Sequence, residues 1–188
     1  MQRVLVTGAT GFLGRAALQA LRRAGYALRA TWHRHEPRND DADVEWQRDD
    51  LREDRNRTAG LLRDVDTVVH LAARAHISGM QRYWPSPFQR ANVVATERLA
   101  QQALRAGVRR FIFMSTAGVH GSENLVEQGM PVRLNDTDAL LPHSAYARSK
   151  LAGEQALAHI CGSGPMELVR LRAPLVFGPD NGGNFLRL

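Results

Sequence analysis

Tyr146 and Lys150, in the stretch HSAYARSK, stand four positions apart, and Lys150 is the one lysine among 25 lysine and arginine residues. On a helix that spacing puts both side chains on one face. A free tyrosine titrates at about pH 10, too high for a base near neutrality. A neighbouring ammonium favours the phenolate and brings that value down. Lysine is a compact point charge that can also reach ribose hydroxyls, which a planar guanidinium would meet differently. The pattern Y-x-x-x-K also arises by chance in many helices. Chain order gives it weight here, because a hydroxyl pair, Ser115 and Thr116, precedes it at the end of an apolar run, and a glycine-rich turn stands at the N-terminus.

That turn, TGATGFLG, places Gly8, Gly11 and Gly14 between a strand-like run and an amphipathic segment. Glycine there serves a tight turn, close backbone approach to a pyrophosphate, and close helix–strand packing. The helix start adds unpaired N–H groups and partial positive charge. The spacing is G-x-x-G-x-x-G, one step from the G-x-G-x-x-G of many dinucleotide sites, and a bland turn would also use these glycines. At the end of the second strand, TWHRHEP carries Trp32, His33, Arg34 and His35 where an acidic residue would hold the adenosine ribose. A cationic strand end with Arg34 suits a 2′-phosphate, and so leans toward NADP over NAD; a solvated strand end is the other reading. Asp50, after the third strand, is positioned for an adenine contact, and Asp49 for that or a helix cap.

The elements that must hold these residues alternate. Strands are expected at 3–8, in YALRATW, in DVEWQR, at 66–73 and 109–115, and in MELVRLR at 166–172. Leu13, Ala17, Ala20, Leu21 and Ala24 recur at helical spacing before Gly25; further helices are expected at 90–106, ended by Gly107, and at 144–160. The run at 66–73 is apolar enough for burial on both faces. Such alternation predicts an α/β fold, a doubly wound parallel sheet with helices on both faces and right-handed crossovers. The irregular stretch 117–143 is long enough to suggest an active-site loop.

Composition narrows the partners. The chain has 188 residues, 44% hydrophobic and 23% charged, ordinary for one globular core. The net charge of +6 comes from scattered arginines without a basic stripe or interleaved aromatics, which favours an anionic small ligand over nucleic acid. No apolar run approaches the roughly 20 residues that span a bilayer. The first residues read as a strand, so no secretory leader is expected, and the single Cys161 fits a reducing, cytoplasmic location. His70 and His76 lack a third ligand at metal-binding spacing and read as buried or groove-lining residues.

TGATGFLG, DDL at 49–51, VVHLAA at 68–73, Asn92 in RANVVAT, MSTAGVHG at 114–121, YARSK at 146–150 and RAPLVFGP at 172–179 together resemble the extended short-chain dehydrogenase/reductase family. Within it, the chain is similar to the NAD-dependent epimerase/dehydratase type acting on nucleotide sugars. The resemblance implies a Rossmann-like domain over 1–178, with 179–188 starting a substrate lobe that is largely missing. It implies that Gly8, Thr10, Gly11 and Gly14, with Phe12 and Leu13, cradle the pyrophosphate of NAD or NADP. Asp50 and Leu51 would hold the adenine, Leu71, Ala72 and Ala73 the groove wall, and Asn92 and Pro174 further parts of the cofactor site. Tyr146 would be the acid/base, Lys150 the ribose ligand that tunes it, and Thr116 the hydrogen-bond partner of the reacting oxygen. His120 stands where the family often has tyrosine, and AGVH after Thr116 lacks the acidic pair expected of a dehydratase. The implied substrate is a UDP-hexose or UDP-N-acetylhexosamine epimerised at C4, the implied assembly a homodimer through helices 90–106 and 144–160. An NADP-dependent reductase of another carbonyl, and a non-catalytic dinucleotide-binding protein, are the alternatives.

Overall fold

The computed structural model describes residues 1–37, 42–53, 58–75, 87–121, 126–127, 130–131, 133–162 and 164–178. Six strands form one parallel sheet: β1 (Arg3–Thr7), β2 (Ala27–Trp32), β3 (Val44–Arg48), β4 (Thr67–His70), β5 (Arg110–Thr116) and β8 (Glu167–Ala173). Their order is β3-β2-β1-β4-β5-β8, so the chain winds outward from β1 in one direction and then from β4 in the other. A doubly wound sheet of this order opens a crevice at the carboxyl ends of β1 and β4, where the winding reverses. The glycine turn follows β1 and the segment 71–75 follows β4, so both expected cofactor segments reach that crevice.

Strand alternation sorts the core into two layers. Val4, Val6, Leu28, Ala30 and Val69 point to the face covered by α1 (Phe12–Arg23), through Leu18. Leu18 is the buried anchor of α1, whereas Ala20 and Ala24, expected on its inner face, are exposed. Leu5, Val68, Phe111 and Phe113 point the other way, onto α2 (Thr58–Leu61), α4 (Ala95–Arg105) and α5 (Ala145–Gly162). Helices therefore lie on both faces, as the alternation predicts.

Two helices stop in the same way. Gly25 has φ +79° and Gly107 φ +77°. After α1, Tyr26 N donates to Leu21 O at 3.2 Å and Gly25 N to Arg22 O at 3.0 Å; after α4, Val108 N donates to Ala103 O and Gly107 N to Leu104 O. These are Schellman caps, which left-handed glycine closes without a Cβ penalty. Each turns the chain directly into the next strand.

Three expectations change in detail. β4 ends at His70, not at residue 73, because the chain leaves the ladder after Leu71 N bonds Thr7 O at 3.2 Å and then lines the crevice. The helix expected at 90–106 begins as a short turn α3 (Pro87–Gln89) and a wide π-turn (Arg90–Val94), in which Ala95 N donates to Arg90 O. The stretch 117–143 contains a 3₁₀ turn (Ala117–His120) and a two-residue antiparallel pair of β6 (Val126–Glu127) with β7 (Met130–Pro131). Residues 179–188, the expected start of a second lobe, and His76 lie outside the described residues.

The β1–α1 turn is built on missing side chains. A Cβ on Gly14 would stand 2.3 Å from Gly8 O and 2.6 Å from Ala9 Cα. One on Gly8, itself at φ +67°, would stand 2.7 Å from Ala72 N. Gly14→Ala is therefore expected to cost about 3 kcal/mol or more through overpacking against backbone that cannot yield. Gly25→Ala, with nothing within 4 Å of the new Cβ, meets only the φ penalty of about 1 kcal/mol. Urea midpoints of the two variants check this; equal losses would refute the packing account of Gly14.

Candidate active site

The crevice is a groove of about 560 Å³. Gly8, Thr10 and Gly11 form its floor, and Leu71, Ala72 and Ala73 one wall. Arg34, Asp50 and Leu51 line the far end, beyond β2 and β3. These expected cofactor residues thus come together from four separate segments. Gly14 is buried behind the turn, holding α1 close. Phe12 and Leu13 face a neighbouring depression shared with Val176, Phe177 and Gly178. Pro174 is exposed just after β8.

The floor suits an anion. Gly11 is the N-cap of α1, no side chain caps the helix, and its first turn carries no acidic residue. Its free N–H groups and the helix dipole remain available to phosphate oxygens. Gly11 is exposed, and a Cβ there would meet only Gly8 O, at 3.2 Å, so it is the open point of the turn. The apolar wall, glycine floor and uncapped helix fit a dinucleotide of pocket size.

At the adenosine end, Asp50 is already engaged. Arg52 meets both its oxygens, at 2.8 and 2.6 Å, and His33 Nε2 stands 3.0 Å away. The Arg52 hydrogen bond, helped by His33, holds the Asp50 carboxyl below its usual range. Arg34 is exposed on the groove rim. Asp49, considered for a cap, donates its N–H to Trp32 O at 3.0 Å and prolongs the β2–β3 pairing.

A buried polar chain holds the groove wall. Thr7 Oγ1 lies 2.7 Å from His70 Nδ1, and His70 Nε2 lies 2.9 Å from Thr96 Oγ1. Thr7 Oγ1 also accepts from Ala72 N at 3.3 Å, tying β1 to the wall. Burial holds His70 at about 3, with the Lys150 charge adding to the effect, so it is neutral and structural. Asn92, expected near the cofactor, is fully buried: its Oδ1 accepts from Arg74 N at 2.8 Å, and its Nδ2 donates to Arg74 O at 3.0 Å and Ser149 Oγ at 2.9 Å. Its amide fixes segment 71–75 to α5 from within. Thr7, Thr96 and Ser149 carry this chain, yet no local pattern marks them, since each is an ordinary hydroxyl until the strands pair.

Thr116 ends β5, and its Oγ1 accepts from Gly118 N at 3.2 Å. A Cβ on Gly118 would lie 3.4 Å from Thr116 Oγ1 and 3.7 Å from Ala147 Cβ, so the turn after Thr116 packs against the first turn of α5. That turn carries Tyr146, half-buried, with its ring 6.3 Å from Phe88. Lys150 follows one turn later, 1% exposed, with Nζ 3.9 Å from the Phe113 ring centre. The expectation that Lys150 depresses the tyrosine is not what this geometry gives: burial pushes the Tyr146 phenol up. Burial likewise brings Lys150 down from 10.5 to about 7, against the opposing pull of Glu154. A dry environment outweighs pairwise charge here, because it penalises both ionised forms.

Lys150 thereby makes stability depend on pH. Between about 7 and 10.5 the unfolded chain still holds a proton that folded Lys150 has released, so stability rises with pH across that window. Lys150→Met should flatten this rise, as urea titrations across the window measure; an unchanged slope would contradict the assignment.

A family model described as the NAD dependent epimerase/dehydratase family matches residues 4–187. UDP-glucose 4-epimerase of Vibrio cholerae is 33% identical over 187 residues, which cover 98% of this chain and 55% of that protein. dTDP-glucose 4,6-dehydratase of Streptomyces griseus is 33% identical over 174 residues, 83% of this chain and 49% of its own. The structure of UDP-glucuronic acid 4-epimerase from Bacillus cereus in complex with NAD matches with a TM-score of 0.81 at 27% identity, over 100% of this chain and 61% of that one. The chain spans about half the length of the curated relatives it matches. By the family model's reach over nearly all its residues, the shared sheet and these identities, this chain belongs to the NAD-dependent epimerase/dehydratase family, of the short-chain dehydrogenase/reductase type.

Proposed function

We propose that the chain binds NAD or NADP in the groove beyond β1 and β4 and serves a nucleotide-sugar epimerase that oxidises and re-reduces C4 of a UDP-hexose or UDP-N-acetylhexosamine. The observation that carries this reading is the packing of the turn after Thr116 against the Tyr146 turn of α5, in a sheet whose switch point holds an anion-ready groove. Relatives with UDP-glucose and UDP-glucuronic acid 4-epimerase activity in their names support the substrate class.

A bound nicotinamide supplies a hydride acceptor and then returns the hydride. Tyr146 receives the hydroxyl proton as the carbinol carbon is oxidised and gives it back on reduction; Thr116 holds the same oxygen. Lys150, one turn after Tyr146 and 1% exposed, sits beneath the site, and would hold the ribose of a bound cofactor only once it is uncovered. The two electrons and the proton removed are both restored, so the cycle needs no outside oxidant. Ala117, Gly118, Val119 and His120 follow Thr116 without an acid pair, which favours epimerisation over dehydration. The same reading includes a cytoplasmic location, supported by the single, buried cysteine, and a homodimer through α4 and α5, which already pack together on one sheet face.

Tyr146→Phe should lower kcat on a UDP-sugar by about 10²-fold or more while cofactor affinity stays within about twofold. Full activity in this variant would overturn the role given to Tyr146.

The second reading, an NADP-dependent reductase, is favoured by one observation: His33, Arg34 and Arg52 line the adenosine end of the groove, with Asp50 already engaged by His33 and Arg52 and Arg34 exposed on the rim. Calorimetric titration with NAD(H) and NADP(H), on the chain and on Arg34→Ala, separates the two. A selective loss of NADP(H) affinity of about tenfold is expected from a lost charge-assisted contact. NAD binding indifferent to Arg34 would favour the epimerase alone, and no binding of either would overturn the groove assignment.

A further inference from the structure

Behind the candidate catalytic residues lies a second buried cluster that the reaction above does not use. Glu154, one turn after Lys150 on α5, is 1% exposed. Ser115, next to Thr116 on β5, donates its hydroxyl to Glu154 Oε1. Arg172 on β8 meets the same carboxylate from the other side, with Nε at 3.1 and 3.2 Å from its two oxygens and Nη2 at 2.7 Å from Oε2. Its remaining nitrogen, Nη1, stands 3.1 Å from His120 Nε2 and 3.0 Å from Asp136 O. His120 Nδ1 in turn lies 3.2 Å from Ala139 O. A carbonyl can only accept, so these partners put the ring proton on Nδ1 and leave Nε2 as the acceptor for Arg172.

This arrangement has consequences for three pieces of the site. Arg172 joins α5 behind Tyr146, the 3₁₀ turn after Thr116, and the segment 133–143 that leads into Tyr146. All three of its nitrogens have protein partners and its side chain is 14% exposed, so it is not the free cation that an anionic substrate would seek. A lysine could not replace it, because only the planar fork serves a carboxylate on one edge and two further acceptors on the other. Buried Glu154 demands a cation, which fixes where the guanidinium sits and therefore where its second edge points.

We propose that Arg172 is a positioning residue: anchored by Glu154, it clamps the segment 133–143 and the His120 turn against β5 and α5, and so holds Thr116 and Tyr146 in register for one substrate. The clamp stands on this geometry alone, whereas its service to catalysis rests on the epimerase reading.

The test compares wild type with His120→Phe, Arg172→Lys and Arg172→Gln. His120→Phe keeps the Glu154–Arg172 pair, and with it the fold, while removing one tether. Arg133 is exposed at the start of the segment, so trypsin cleavage after it, followed by mass spectrometry under native conditions, reads local opening. Cleavage about tenfold faster is expected in His120→Phe and Arg172→Gln, with Arg172→Lys between them and wild type. NAD affinity should stay within about twofold while kcat on a UDP-sugar falls about tenfold or more, as misplacement of reacting groups predicts. Cleavage unchanged in His120→Phe overturns the clamp, whether or not the wild type turns over any UDP-sugar. Faster cleavage with unchanged kcat overturns the positioning role. A wild type that binds NAD but turns over no sugar counts against the epimerase reading, and the cleavage rates still decide the clamp.

Discussion

Gly8, Gly14 and Ala72 meet backbone to backbone where β1 and β4 part, at distances that leave no room for a Cβ. This contact brings the N-terminus of α1 down onto the sheet, and it draws the segment after β4 against the glycine turn. A methyl group at Gly14 would lift the helix, and one at Gly8 would separate turn from wall. The groove exists because both separations are absent. The hydrogen bonds of Thr7 with His70 and with Ala72 N then lock the same junction from below. Everything that makes the crevice suitable for phosphates, namely the open Gly11, the uncapped helix and the apolar wall, depends on this close approach.

Around that frame, the interior treats ionisable groups in two ways. Where a buried group has no counter-charge in contact, desolvation neutralises it: His70 falls to about 3, and the Tyr146 phenol is pushed up. Lys150 lies between, brought to about 7 with Glu154 resisting. Elsewhere a full set of partners surrounds the group, as with Glu154 between Arg172 and Ser115. Of the desolvated groups only Lys150 lies near neutrality, the range in which a side chain exchanges a proton most readily. The partnered set suits geometry, since a buried ion pair is strongly directional and costly to break. Tyr146, Lys150 and Glu154 follow one another at four-residue steps along one face of α5, so the dry groups and the ion pair share that face.

Much of this was readable along the chain. The parallel sheet with helices on both faces follows from alternating runs and the handedness of crossovers, and the helix stops at Gly25 and Gly107 from glycine after a helical period. The glycine turn, the Tyr146–Lys150 spacing and Thr116 at a strand end are local patterns whose chemistry depends on near neighbours. Other features were not readable, for a common reason. The early end of β4, the π-turn at Asn92 and the internal use of the Asn92 amide arise where distant segments cross. Gly153 shows this: a Cβ there would stand 2.9 Å from Asn92 O, so the width of the turn is set by a helix more than fifty residues away.

The sequence by itself therefore determined most of the elements, their alternation, the family and the candidate reactive groups, because each is encoded by period, spacing or a residue's own conformational range. Tertiary structure alone decided the state of those groups. Lys150 is a surface residue by type and a core residue by position, with a proton affinity that only burial explains. Glu154, Arg172 and His120 form one cluster although they lie on different elements, and no local pattern pairs them. Electrostatics in a folded chain depends on distance and on exclusion of water, and both are properties of the packed molecule.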